Sequence, residues 1–399
     1  MKPLSNRILG LGTENAFVVL KEVNELIAKG RSIKNFCIGQ PDFDTPKHIR
    51  FAGMKAISDG KTGYTPSQGI PPLREAAAAM FRRTRNIDVS ADDVVIAVGG
   101  KPFIGYSIFI TTEYGKGHEV IFPNPGFPIY ESQIKANGAV PVPLYLKESS
   151  SFAFDIDDLR ARITDKTRLL ILNSPQNPTG GILTRAQLEQ IAQLCIEHDL
   201  WVYSDEVYSE LVYDGEFQSI ASIPGMKERT IIVDCASKTY AMTGWRIGYM
   251  ANRTLAPHIG TLVTNTDSCA PHMNQLAVVE ALNGPQTEVA DMRRIFKERR
   301  DVIVQGLNQL EGFRCLNPGG AFYVWPNVTE ACKIVGAANS EAFRKRLLHE
   351  AGVAVLADIH FGPQVPNDGE HIRFSYASST ADILEGIERI KDWMANSRV

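Results

Sequence analysis

The stretch "RTIIVDCASKTYAMTGWRIGY", residues 229–249, begins as an apolar run and then reaches a lysine set among small residues. Ile231, Ile232 and Val233 follow one another with no polar alternation. Strands buried on both faces of a parallel sheet read this way. Such a strand delivers the residues that follow it, here Ser237 and Lys238, to the rim where open α/β sheets bind their ligands. The stretch therefore predicts both a fold class and the edge of that fold where the chemistry sits.

Working outward, similar runs recur upstream. "VVIAVGG" (94–100) reads as a strand and leads into a helix over "KPFIGYSIFITT" (101–112). "HEVIFPNPG" (118–126), "TRLLILNSPQNPTG" (167–180) and "LWVYSDE" (200–206) read as further strands. "TRAQLEQIAQLCIEHD" (184–199) has the spacing of an amphipathic helix. Strand and helix in alternation imply α/β architecture with crossover helices. After about residue 275 the pattern changes to a long helical stretch (287–310). Short strands "GGAFYVWPNV" and "HIRFSYAS" and the helix "ADILEGIERIKDWMAN" (381–396) follow. Near the start, "ENAFVVLKEVNELIAKG" (14–30) reads as a helix with Phe17, Leu20, Val23 and Ile27 as its apolar positions and Gly30 as its stop. The expected fold is a large domain with a mostly parallel sheet flanked by helices, plus a smaller α+β domain built from the two chain ends. The expected divisions are 1–45, 46–280 and 281–399.

Bulk properties narrow the function. The 399 residues exceed one simple core. A formal net charge of −3 with no long basic run offers no field for nucleic acid. "RRIFKERR" (293–300) is expected to be the charged face of a helix. No apolar run reaches the roughly 18 residues of a membrane span, and the first residues lack a secretory pattern. The six cysteines are scattered with no C-x-x-C pair, which predicts free thiols in a reducing cytoplasm and no metal.

The strand ends carry the chemical signal. They deliver Gly99-Gly100-Lys101, Asn173 with Asn177, Asp205-Glu206 with Tyr208, and Ser237-Lys238. If these strands are parallel neighbours, all of these residues meet on one rim. A desolvated lysine there is a nucleophilic amine that forms a Schiff base with an aldehyde. A glycine pair opening a helix lets backbone N–H groups approach a phosphate. Lysine with a phosphate cradle points to pyridoxal phosphate, with Asp205 on the pyridinium nitrogen, Tyr208 on the ring oxygen and Arg246 on the phosphate. Taken singly, each signal has a bland reading. Glycine pairs make turns, lysines at strand ends are solvated, Asp caps helices and Asn-Pro starts turns. The set, in this order, carries the expectation.

These residues resemble the class I/II aminotransferases, fold type I of the pyridoxal phosphate enzymes. "SKTYAMTGWRIGY" is similar to the family's lysine segment, "NSPQNPTG" to its asparagine segment and "SDEVY" to its aspartate–tyrosine segment. "GYTPSQGIPPLREA" is similar to the segment near Tyr64, and "IRFSYA" to that of the carboxylate-binding arginine. The likeness runs from "IGQPDFDTP" to Arg373. It implies Lys238 as Schiff-base lysine and proton shuttle, Asp205 on the ring nitrogen, and Asn177 and Tyr208 on the ring oxygen. It also implies Phe127, in "NPGFPIY", on the ring face. Gly100, Lys101, Ser237 and Arg246 would surround the phosphate, the first two through backbone amides, and Tyr64 would reach the phosphate of the other subunit of a homodimer. Gly39 and Arg373 would hold the substrate α-carboxylate. Three positions depart from the family pattern. Cys235 stands where a serine is usual, which removes one expected phosphate hydrogen bond; Phe127 fills a stacking position of glycine or tryptophan type, which changes little; and "VLADIHFG" replaces a Pro-Gly loop, which places altered access near Ala357-Asp358.

The implied reaction is transamination between an L-amino acid and a 2-oxo acid by a ping-pong route through pyridoxamine phosphate. Lys101 would admit glutamate or 2-oxoglutarate as one couple. Ala16 and Phe17, in "TENAF" (13–17), would form a wall for a neutral or aromatic partner, with aspartate a further candidate; Phe17 reads equally as core. A β- or γ-eliminating lyase would use the same site. A ligand-sensing regulator domain would need an N-terminal DNA-binding domain, and only about 45 non-basic residues precede the family segments. A dinucleotide oxidoreductase would need the G-x-G-x-x-G that the first crossover lacks.

Overall fold

The computed structural model describes residues 2–9, 11–12 and 15–398. Glu14, the expected first residue of the N-terminal helix, and Thr13 lie outside the described residues.

Among the described residues twelve strands follow in chain order: β1 (Lys34–Asn35), β2 (Val94–Val98), β3 (Glu119–Asn124), β4 (Val140–Tyr145), β5 (Thr167–Asn173), β6 (Trp201–Asp205), β7 (Thr230–Cys235), β8 (Ile247–Ala251), β9 (Tyr323–Val324), β10 (Val353–Ala354), β11 (Leu356–Ala357) and β12 (Ile372–Ser375). Seven of them form one sheet in the order β2-β8-β7-β6-β5-β3-β4. Strands β3 to β7 pair in parallel. β8 runs antiparallel to both β7 and β2. The expectation of a run of parallel neighbours is corrected in one place, because β8 separates β2 from β7. Two inversions restore the direction, so β2 still ends on the same rim as β5, β6 and β7. β8 begins on that rim, which brings Arg246 to it.

The sheet is covered on both faces, as its apolar strands require. Val95, Ala97, Ile231 and Val233 face a core with Phe103, Ile104, Ile259 and Val263. Val94, Ile96 and Ile232 face Leu73, Phe81 and Val278 from helices Pro71–Arg85 and His272–Asn283. Helix Arg185–Glu197 packs Leu188 and Ile191 against Leu170 and Val202. Strands β4 and β8 were not legible as strands. β4 is an edge strand carrying Pro141 and Pro143, tolerated where only one ladder is needed. β8 is a five-residue strand that starts at the end of the lysine segment and runs two residues past it.

The two chain ends meet. β1 pairs with β10, and the Ser375 amide donates to the Phe36 carbonyl. Glu22, on helix Asn15–Ala28, pairs with Arg344 and His349. That helix buries Ala16, Val19 and Val23, whereas Phe17 and Ile27 are exposed. The buried stripe is therefore offset from the expected one.

Helix Thr287–Asn308 gives a second correction. Arg299 and Arg300 are buried, not solvated. Arg299 makes a forked pair with Asp42 at 2.6 and 3.0 Å and stacks on Phe43. Arg300 reaches Asp214 and the Pro318 carbonyl. The sequence shows charge but not its partners, which lie far away in the chain. All six cysteines are free. Among the described residues, no helix is long and apolar enough to cross a membrane.

Candidate active site

A cavity of about 510 Å³ opens at the carboxyl rim of the large sheet. Gly39, Gly100, Lys101, Phe127, Asn177, Asp205, Tyr208, Ser237, Lys238, Arg246 and Arg373 all line it. Of the expected site residues, only Tyr64 does not line it; it is 90% exposed. Ala16 and Phe17 line the cavity too, so Phe17, at 59% exposed, is not core.

Strand β6 ends on Asp205, which is paired in register with Asn173 of β5 and Val233 of β7. The Tyr130 hydroxyl donates to its Oδ2 at 2.6 Å, while its Oδ1 is buried with no hydrogen-bond partner. Burial pushes the Asp205 carboxyl up to about 6, against the Tyr130 hydroxyl and the Val207 amide, which lower it. An orphaned, buried carboxylate oxygen calls for a cationic N–H donor. Tyr130 went unrecognised in the sequence. Its signal was its position three residues after Phe127 at a helix start, which puts the two rings together, 5.7 Å apart and edge to face.

The β7 strand passes into the short helix Ala236–Thr239, which carries Ser237 and Lys238. Lys238 is half-buried, and its Nζ donates to the Gly39 carbonyl and lies 5.8 Å from the centre of the Tyr208 ring. The Tyr208 hydroxyl pairs with that of Tyr323 at 2.8 Å. Tyr323, on β9, also went unrecognised, and unlike Tyr130 it had no signal in spacing. It explains Gly39, since a Cβ at residue 39 would lie 2.0 Å from the Tyr323 hydroxyl oxygen.

At the far end of the cavity, Gly99 has φ +87° and faces the Arg246 guanidinium, which a Cβ there would meet at 2.3 Å. Arg246 itself has φ 56°, where short helix Thr243–Trp245 turns into β8. The glycines precede helix Pro102–Thr111; Pro102 has no N–H and the Phe103 and Ile104 amides donate to the Gly100 and Lys101 carbonyls, so an anion at this helix start would meet the amides of Gly100 and Lys101. Lys101 lies with its Nζ 5.4 Å from the centre of the Phe127 ring. Cys235 lines the cavity, and burial pushes its thiol up, so it is neutral here.

Arg373, on β12, is buried between Tyr323 and Phe361, 4.5 and 4.8 Å from the two ring centres. It donates to Asn177 Oδ1 at 2.9 Å and to the Cys37 carbonyl, and its Nε is buried with no hydrogen-bond partner. Asp358, where altered access was expected, does not line the cavity. It holds the Ser340 hydroxyl and the Ile359 and His371 amides.

These residues fit the pyridoxal phosphate that the resemblance implies. The orphaned Asp205 oxygen matches a protonated ring nitrogen. Arg246, Ser237 and the glycine-led helix start match a phosphate, and Phe127 matches a ring face.

Comparison with known proteins agrees. The chain matches the family model for aminotransferase class I and II over residues 31–390. It is 37% identical over 390 residues to the aspartate aminotransferase of Bacillus sp. strain YM-2, covering 97% of this chain and 98% of that one. It is also 37% identical over 398 residues to an asparagine–oxo-acid transaminase of Streptococcus mutans, covering 99% and 100%. The solved aspartate aminotransferase of Thermus thermophilus with maleate superposes with a TM-score of 0.92 at 33% identity, covering 98% and 100%.

Proposed function

Since the chain belongs to the class I and II aminotransferases and so works with pyridoxal 5'-phosphate, we propose the division of labour and the substrate range that follow. When bound, the cofactor supplies an aldehyde for the amino group and an electron sink for the charge left by the α-proton. Asp205 holds the ring nitrogen protonated, and Tyr130 fixes the carboxyl so that Oδ1 is the oxygen presented. Asn177 and Tyr208 serve the ring oxygen, and Phe127 covers one ring face. Gly100 and Lys101, through their backbone amides, and Ser237 and Arg246 hold the phosphate, joined by Tyr64 of a second subunit. Lys238 takes and returns the substrate α-proton. Arg373, with Gly39, binds the α-carboxylate through its planar fork.

The observation that carries this reading is the orphaned Asp205 Oδ1 sharing one cavity with Lys238 and Arg373. Borohydride should fix labelled cofactor to the peptide that contains Lys238, and to no peptide in Lys238→Ala. Labelling that persists in the variant would sink the assignment.

The substrate range we propose is glutamate/2-oxoglutarate as one couple and a neutral or aromatic amino acid as the other, with aspartate also accepted. Lys101 offers a cation to a distal carboxylate, and Phe17, Ile38 and Tyr323 offer apolar surface. Relatives named for aspartate and asparagine fit a side-chain pocket that takes a short polar group. Lys101→Ala should weaken the acidic couple by about 1–3 kcal/mol and spare the neutral one, as for one charge-assisted hydrogen bond. Equal loss for both couples would place Lys101 on the phosphate instead. We assign residues 1–45 to an arm and part of the small domain, 46–280 to the cofactor domain and 281–399 to the rest of the small domain. The Arg373–Asn177 and Tyr323–Tyr208 contacts then cross between the two domains.

A further inference from the structure

Behind the cavity, on the side of the strand ends away from it, lies a buried cluster that the proposed roles do not use. Arg85 ends helix Pro71–Arg85, and its side chain is fully buried. Its Nε donates to Glu206 Oε2 at 2.9 Å, and one terminal nitrogen donates to Asp234 Oδ2 at 2.6 Å and to the Ser209 hydroxyl at 2.7 Å. The other terminal nitrogen reaches the Thr84 hydroxyl at 2.7 Å. Glu206 Oε1 accepts from Ser204 and Ser219, and Asp234 Oδ1 accepts from the Cys235 amide. Two carboxylates thus share one guanidinium in a buried site. Burial pushes Asp234 up to about 7, with Arg85 pulling against it.

Such a cluster is weak evidence for stability, because packed apolar residues would serve as well or better. Its location is informative. Successive residues of a strand point to opposite sides. Glu206 directly follows Asp205, and Asp234 directly precedes the cavity-lining Cys235, four residues ahead of Lys238. The two prongs of one guanidinium therefore grip the ends of β6 and β7, the strands that carry the ring-nitrogen partner and the lysine.

We propose that Arg85 is a positioning residue that sets the spacing between Asp205 and Lys238 by holding Glu206 and Asp234 in a single fork; this rests on the roles proposed above for Asp205 and Lys238. A lysine at residue 85 keeps the charge but is a point donor that cannot hold both carboxylates in the same geometry.

The test uses the holoenzyme of Arg85→Lys. Its Tm should stay near that of the parent. Its dissociation constant for pyridoxal phosphate should rise about tenfold or more, and the visible circular dichroism of the bound cofactor should weaken. The value of kcat should fall at least tenfold while KM for the amino donor holds within about twofold, because Arg373 is untouched. Arg85→Met leaves two carboxylates unpaired and can fail to fold. Arg85→Met with Asp234→Asn keeps the net charge of the cluster and should recover Tm without recovering cofactor affinity or kcat. Parental affinity and kcat in Arg85→Lys, or recovery of kcat together with Tm in the double variant, would overturn the inference. Lys238→Ala and Asp205→Asn, assayed alongside, separate the two readings. If they are crippled while Arg85→Lys is unimpaired, only the Arg85 inference fails, whereas full activity in both would remove the reading on which it rests.

Discussion

Asp205 is held where its charge is costly. Its carboxyl has a value of about 6 in the folded chain, above that of an exposed aspartate, because burial outweighs the bond from Tyr130. A raised acid holds its proton more tightly when folded. Its favourable contribution is complete below the unfolded value near 4 and is lost as pH rises through about 6. Above that pH, ionisation costs the cofactor-free protein about 3 kcal/mol. Asp205→Asn keeps an acceptor for Tyr130 and has no such cost. The cofactor-free variant should therefore gain stability over the parent as pH rises from 4 to 8, while the loaded variant loses most of its turnover. A stability difference that does not change with pH, read by thermal unfolding, would contradict the role of burial. Arg373 is the second residue under tension, with an orphaned Nε between two aromatic rings. Arg373→Leu should lower kcat/KM by about two to four decades for every amino acid tried, since the α-carboxylate loses a planar, charge-assisted partner. A loss confined to one substrate would place Arg373 on the side-chain pocket instead.

Elements differ in how far their own residues specify them. Helix Arg185–Glu197 is specified locally. Thr184 caps the Gln187 amide while the Gln187 side chain bonds the Thr184 amide, and the apolar face follows helical spacing. Thr184→Ala should cost about 1 kcal/mol in urea unfolding and leave kcat unchanged, because neither Thr184 nor Gln187 lines the cavity. Helix Thr287–Asn308 owes its placement to distant partners. Arg299 pins Asp42, three residues from Gly39, so the helix supports the loop whose carbonyl meets Lys238. Asp42 is about a third exposed. The loss in Arg299→Met should therefore fall between surface and buried pairs, about 1–3 kcal/mol. A change below about 0.5 kcal/mol in denaturant unfolding would show that Arg299 serves as packing alone.

For the whole molecule, the proposed assembly is a homodimer with shared sites. Phe51, Met54 and Ile57 form an exposed apolar stripe on helix Lys47–Ser58, and Tyr64 stands exposed a few residues beyond it. Stripes of this kind mark contact surfaces. A subunit with Tyr64→Ala keeps its own Lys238, and a subunit with Lys238→Ala keeps its own Tyr64. Mixed and refolded together, they should give hybrids with one complete site and, at random pairing, about a quarter of parental activity. Sedimentation should give a dimer at assay concentration. A fully active monomer, or hybrids as inactive as their parents, would overturn the shared site.

The apolar runs before Asn173, Asp205 and Lys238 were sufficient to give a parallel sheet with a reactive rim, because strands buried on both faces must be apolar throughout. The lysine, aspartate, asparagine and arginine segments were legible because each is a short local pattern. Three things were decided only by tertiary packing. β8 inserts antiparallel between β2 and β7, a matter of pairing partners that no local pattern encodes. Tyr130 and Tyr323 become part of the site through contacts that are 75 and 115 residues long in sequence. Arg299 reads as ordinary surface charge, and Arg85 carries no signal, until their carboxylates, 121 to 257 residues away, are placed beside them. The physical reason is the same in each case. Hydrophobic periodicity is a property of one segment, whereas a hydrogen bond or an ion pair needs two, and the second is supplied by the folded chain.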